Sequence, residues 1–513
     1  MRSRGWALLL LVAAGCSRFG AGRAGAAEEL LPPHPAGAVV TAPLGALAQH
    51  VAALTGKVAS LPGGEQVSEL HRGLTAQLGF DPLASEGLVS AGLDPDRGAA
   101  VVLLDNQEWV ASLPVTKPEL FLQTVQRVLV ERAGFALLPG QPKEAKIFER
   151  RGQRVGVAVV RGYGIVARTA DPVALIAGSQ ARPVDQSLAR EPGLAAARGR
   201  LGAQDLIAWA PAGSTLPRRF TRRSLPGDFA LSVQGSQQGI ASRMLVQLPA
   251  ENAQRAAVSL PGGGSWLVEL LPADAPFRAR LGIAPAQLRE SLRGTPEVAA
   301  LLDRLHGADA EVLAAVAPGA AVSLGVARGA NIGEAIDYGL DFRRKSPFDT
   351  VQLVALAQVS DRPRLLKAFD QIAKVMPELG ARAERHGDDF QVSYPAGRGA
   401  RFGVRELDGK QVAYLMGGPL RPEELRRTPR PANPETAVLY GDAGAAMRMD
   451  FGKLAAALRE LPPSAYGSGP QSYVARSLVG QVIEPLRTVR LTIAAEAFSD
   501  RVGATLDVEL VAP

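Results

Sequence analysis

Twice in this chain an apolar run passes through a capping position and a proline into a helical pattern: "WVASLPVTKPELFLQTVQRVL" from Trp109 and "VQLVALAQVSDRPRLLKAFDQIAKVM" from Val351. In the first, Thr116 stands at the cap position, with Pro118 and Glu119 in the first turn. In the second, Ser360 or Asp361 caps and Pro363 follows. A proline there costs no hydrogen bond, because the first N–H groups of a helix have no partner inside it. A strand running straight into a helix needs neighbours from elsewhere in the chain, and hairpins supply them. "GLDPDRGAAVVLLDNQEWVASLPV" predicts one, with apolar runs 99–104 and 109–115 around the polar turn Asp105 to Glu108.

Other elements fall into the same order in both halves. "AVVTAP" reads as a strand ending at Pro43, followed by helical patterns in "LGALAQHVAALTGKV" and in "EQVSELHRGLTAQLG", where Val67, Leu70, Leu74 and Leu78 form a stripe. Strands are predicted near 154–160 and 165–169, a helix near 192–201 and a hairpin over 229–249. In the second half "SWLVELLP" ends at Pro272 as "AVVTAP" ends at Pro43, and "APGAAVSLGVA" echoes "DRGAAVVLL", with Pro318-Gly319 read as a turn. "RFGVRELDGKQVAYLMGG" matches "RVGVAVVRGYGIVART", its Asp408-Gly409 being a strong hairpin signal. "VRLTIAAEAFSDRVGATLDVELV" closes the chain as a further hairpin. The expected fold class is α+β: two tandem, duplicated domains over 37–250 and 251–513, each an antiparallel sheet with helices packed on one face.

The chemistry sought by spacing is largely missing. The five histidines, His34, His50, His71, His306 and His386, contain no i,i+4 pair, so there is no zinc-protease helix. The chain has no Gly-x-Ser-x-Gly elbow, no Ser-x-x-Lys pair and no phosphate loop ending in Gly-Lys. "GYGIVA", from Gly162, fits a dinucleotide glycine pattern, but β-favouring residues follow where a helix should start, so its glycines are read as turn glycines. "DPD" at Asp94 to Asp96 lacks the remaining ligands of a calcium loop and is read as a turn or cap, and "HGDD" from His386 as a solvated loop. No residue is assigned to catalysis, a cofactor or a metal.

The sole cysteine, Cys16, excludes an internal disulfide. It follows Arg2 and Arg4, an apolar run from Trp6 to Ala14, and the small residues Ala13, Ala14 and Gly15. A charged start, a short apolar core and a small-residue site form an export signal too short to span a bilayer. With cysteine directly after it, the stretch resembles the lipobox of bacterial lipoproteins, although Ala13 occupies the position where leucine is usual. That resemblance implies that 1–15 is removed, that Cys16 carries a diacylglycerol and an N-terminal acyl chain, and that 16–36 is a flexible tether. Two or more acyl chains give stable anchoring at about 0.8 kcal/mol per buried methylene. Ser17, in place of aspartate, points to the outer membrane, facing periplasm or exterior. The rival reading is a secretory signal cut after Ala24-Gly25-Ala26.

The formal charge of +7 comes from 48 Arg and 9 Lys against 50 acidic residues. In an exported chain it argues for surface solvation and not for a nucleic-acid partner. The basic clusters worth weighing are Arg218, Arg219, Arg222 and Arg223 around Phe220, suited to anionic head groups, and Arg343 to Lys345. The body also resembles uncharacterised duplicated α+β proteins exported by bacteria, a likeness that brings no activity. The expected function is therefore that of a membrane-anchored, non-enzymatic binding or scaffold module. The alternatives are a carrier of lipid or another hydrophobic ligand, built around an apolar cavity, and a hydrolase of unrecognised class drawing on Asp94, Asp96 or His386. Palmitate labelling in a bacterial host should mark the wild-type chain and not Cys16→Ala. A mature product that begins near Ala27 and carries no lipid would overturn the anchor.

Overall fold

The computed structural model describes residues 27–510 except 60–63, 105–107, 140–144, 203, 215–226, 237–238, 333–345, 428–438, 442–443, 468–469 and 499. The chain divides into two units, Met1–Pro249 and Ala250–Pro513, and both are α+β. Unit 1 contains β1 (Gly37–Pro43), α1 (Leu44–Val58), α2 (Glu65–Leu78), α3 (Ser85–Ser90), β2 (Gly98–Leu103), β3 (Trp109–Pro114) and α4 (Pro118–Arg127). Then come β4 (Ala136–Leu137), β5 (Lys146–Arg150), β6 (Gln153–Val160), β7 (Tyr163–Arg168), α5 (Pro172–Ala181), α6 (Pro192–Leu201), β8 (Leu206–Ala210), β9 (Phe229–Ser236) and β10 (Gly239–Gln247). The strands pair antiparallel in the order β4-β5-β6-β7-β3-β2-β1-β8-β9-β10.

Unit 2 contains α7 (Ala250–Ser259), β11 (Phe277–Leu281), α8 (Pro285–Arg293), α9 (Pro296–Arg304), α10 (Ala308–Ala314), β12 (Val316–Val326), β13 (Val351–Val359) and α11 (Arg362–Val375). It continues with β14 (Arg382–His386), β15 (Asp389–Ser393), β16 (Ala400–Leu407), β17 (Lys410–Gly417), β18 (Ala445–Asp450), α12 (Phe451–Arg459), α13 (Pro470–Leu478), β19 (Val489–Ala497) and β20 (Arg501–Leu510). Its antiparallel order, β14-β15-β16-β17-β13-β12-β11-β18-β19-β20, is that of unit 1 with ten added to every strand number.

In unit 1 helices cover both faces of the sheet, where one covered face was expected. Successive residues of β2 alternate between two cores: Ala99 and Val101 pack with Leu44, Leu47, Leu88 and Phe121, while Ala100 and Val102 pack with Ile176, Leu194 and Leu201. The signal was present in unbroken runs such as "GAAVVL", since a strand buried on both sides need not alternate. The expected tether also stops early. Leu30 and Leu31 are 1% and 0% exposed, and the buried Glu28 pairs with Arg198 of α6, so the chain is packed from Ala27 onward.

Several local expectations are corrected. Lys117, not Thr116, occupies the N-cap of α4, and the Thr116 hydroxyl donates to the Leu93 carbonyl instead. Asp361 does cap α11, accepting from Arg364 N at 3.0 Å. "SWLVEL" is a buried 3-10 helix, Ser265–Leu270, and β11 takes the place of the strand expected there as the counterpart of "AVVTAP". Pro318-Gly319 is not a turn between elements. It is a bulge inside β12, where the register jumps between Val316 and Ala320. There Gly319 adopts φ 95° with a backbone so close that a Cβ would meet Gly263 C at 2.5 Å.

The "GYG" segment is explained by packing. Arg161 and Gly162, at φ 49° and 77°, form the two-residue turn between β6 and β7. Gly164 lies beneath the Phe121 ring, and a Cβ there would stand 2.2 Å from Phe121 Cζ. Gly164→Ala should cost about 1–3 kcal/mol through overpacking, with part of the loss recovered when Phe121 is changed to Leu. Urea unfolding midpoints of both variants test this, and a wild-type midpoint for Gly164→Ala would refute it.

Candidate functional site

Antiparallel pairing fixes which side chains share a face, because directly opposed residues point the same way. In unit 2 one transverse row reads Leu415, Ala355, Val322, Ala279, Met447, Ile493 and Leu506, from β17 across to β20. The neighbouring row runs Gly417, Leu353, Leu324, Phe277, Met449, Leu491 and Val508. Within these paired stretches no polar side chain lies on this face. It is nonetheless open: Leu324 is 38% exposed, Leu415 and Met447 37%, and Leu506 40%.

The equivalent row of unit 1 is Val166, Ala111, Val101, Val39, Ala208, Leu231 and Met244. Its first three residues are buried beneath α1, α3 and α4. The difference lies in the helix that follows the first strand. In unit 1 that helix is α1, which buries Leu44, Leu47 and Ala48. In unit 2 it is α8, "PAQLRESLR", which buries no residue. A helix without a wide apolar stripe gains nothing by lying on the sheet. The β15–β16 end of the unit 2 face is closed by Leu365 and Phe369 of α11 against Phe390 and Phe402, and its β12 end is closed where Val326 packs with Leu454 and Leu458 of α12.

The opposite face of the same strands carries buried charge. Arg278 and Arg280 of β11 and Arg448 of β18 are 8%, 1% and 6% exposed, and Arg278 is directly opposite Arg448. The corresponding unit 1 positions hold Ala38, Val40 and Trp209. Arg280 donates to three carbonyls, Leu439 O at 3.2 Å, Gly263 O at 3.4 Å and Gly444 O at 2.8 Å, so it ties three loops together. Arg448 reaches Thr492 Oγ1 at 3.2 Å and both oxygens of Glu509 at 3.3–3.4 Å. Asp450 accepts from Arg490 Nε at 3.1 Å and caps α12 through Lys453 N. Farther along, the buried Tyr414 hydroxyl donates to Asp389 Oδ1 at 2.6 Å. Burial and that carboxylate push its pKa well up, so it stays a neutral donor.

The residues singled out from sequence are distributed differently. Cys16, Arg218, Arg219, Arg222, Arg223 and the Arg343 to Lys345 cluster lie outside the described residues. Asp94 accepts from the backbone N of Asp96 in a turn of unit 1, and His386 is exposed at the end of β14 in unit 2, so the three form no constellation within either unit. Asp388 pairs with Arg362, which accounts for part of "HGDD". Among the described residues no cluster of three His, Cys, Asp or Glu is placed to hold a metal, and no helix is long and apolar enough to cross a membrane.

Two grooves stand out, of ≈ 270 Å³ beside Thr41, Arg198 and Gln204, and of ≈ 400 Å³ beside Glu251, Arg255 and Gln287. Apolar side chains share both linings, Val40, Ala42 and Ile207 in the first and Val258 in the second. The open face went unread because in "AAMRMD" alternation is plain but its direction is not.

No protein-family model and no curated protein matches the chain. Among solved structures it is similar to crystal form I of TP0453, at 9% identity and TM-score 0.27, over 48% of this chain and 88% of that one.

Breaking the Arg448–Glu509 pair should leave a buried cation without its partner. Glu509→Gln is expected to cost about 3 kcal/mol, whereas Arg448→Met with Glu509→Leu should cost clearly less. Urea unfolding of the three proteins checks this; a double variant worse than the single would reverse the reading.

Proposed function

We propose that the chain is a lipid-anchored, non-catalytic binding module of the cell envelope, and that unit 2 holds an apolar ligand such as a lipid acyl chain on the open face of its sheet. The observation carrying this reading is the uncharged row from Leu415 to Leu506, in which Leu415, Met447 and Leu506 remain more than a third exposed. Exposed apolar surface of this continuity is characteristic of binding sites. Protein partners usually supply about one hydrogen bond per 100–200 Å² of interface, and this face has no side chain to meet them. Hydrocarbon needs none. A carrier that moves lipid within the envelope would use the same surface.

Acylation of Cys16 would keep such a face near its ligand. The common strand order supports reading the two units as copies of one ancestral unit. On this view unit 1 kept its helical cover, while unit 2 lost it and became the binding half.

Leu324→Glu and Met447→Glu should each weaken binding of a fluorescent fatty acid by about tenfold or more while leaving the unfolding temperature essentially unchanged, because both positions are exposed. Cys16→Ala should bind as wild type, which separates anchor from ligand site. Undiminished binding by both glutamate variants would remove the proposed site.

A further inference from the structure

The charged side of the unit 2 sheet contains two cations, Arg278 and Lys453, that have no carboxylate at ion-pair distance among the described residues. Asp450 is committed to Arg490 and to the cap of α12, and Glu509 to Arg448. Arg278, directly opposite Arg448, is 8% exposed, pairs with no carboxylate among the described residues, and donates only to Tyr440 Oη, at 3.4 Å. None of its nitrogens is both sealed from solvent and unpartnered, so its free N–H groups keep a path to water.

The second cation is brought there by the chain's course. Asp450 N donates to Pro276 O at 2.8 Å, and Lys453 Nζ, on the first turn of α12, donates to Ala273 O. The β18–α12 junction therefore crosses the segment leading into Arg278. Lys453 makes no ion pair among the described residues, and burial, with the positive charge of Arg278 outweighing the opposing pull of Asp450 and Asp274, holds its pKa below the usual lysine value. Two like charges held together in a partly dry site are costly unless an anion joins them.

We propose that Arg278 and Lys453, with Arg448 behind them, bind the phosphate group of a small ligand or of a lipid head group. Arginine offers the fork that phosphate accepts, and lysine a point charge from a second direction. The site is independent of the apolar face, which lies on the other side of the same strands.

The test uses the full chain, titrated with sodium phosphate at constant ionic strength and, separately, with phosphatidylglycerol or phosphatidylcholine vesicles. Wild type should bind phosphate and gain unfolding temperature by mass action. Arg278→Gln and Lys453→Met should each bind about tenfold more weakly, while Arg255→Gln, on the exposed face of α7, should bind as wild type. Should Arg278→Gln fail to fold, Lys453→Met still decides, because it leaves the buried arginine in place. Binding to phosphatidylglycerol vesicles alone, lost in the same two variants, assigns the phosphate to a lipid. Failure of wild type to bind either probe, or equal weakening in Arg255→Gln, overturns the proposal.

Discussion

The main-chain ladder of an antiparallel sheet leaves a strand only one choice, which of its two alternating sets faces inward. Everything distinctive about unit 2 follows from how β11 and β18 make that choice. With Arg278, Arg280 and Arg448 turned to one face, Ala279, Met447 and Met449 must take the other, since a one-residue slip would reverse every side chain together. The interior then needs hydrogen-bond partners for guanidinium groups, and the carbonyls of Gly263, Leu439 and Gly444 together with Glu509 provide them. The buried arginines and the open apolar face are thus two consequences of one register.

Unit 1 shows the ordinary solution on the same strand order. Ala38, Val40 and Trp209 fill the positions taken by the arginines, and α1 seals the other face with Leu44, Leu47 and Ala48. The contrast locates the functional difference in two short segments, the first strand and the helix after it. Changing which side chains lie at those places leaves accessible, in unit 2, a stretch of the face that unit 1 covers over β7, β3 and β2, without altering topology.

Part of this was legible beforehand. Helix starts at Pro118 and near Asp361, the hairpins at Gly162 and Asp408-Gly409, and the closing hairpin of each half are local events, set by turn chemistry and capping over a few residues. "SWLVELLP" misled because a buried 3-10 turn and a buried strand are equally apolar over so short a span. Pro318-Gly319 misled because a bulge and a turn demand the same residues. The Arg218 to Arg223 cluster drew attention as a dense charge run, whereas the consequential arginines were isolated ones, alternating with Phe, Ala and Met.

By itself the sequence determined the α+β class, the strand-to-helix passages that lead into Pro118 and Asp361, the closing hairpin of each half and the exclusion of an internal disulfide, because propensity, turn residues and a single cysteine act over short distances or none. Only the tertiary structure decided which face of each strand is inside, which helix covers it and which cations meet. Those outcomes depend on segments more than a hundred residues apart, such as Arg280 with Gly444, and no local pattern encodes a contact of that range.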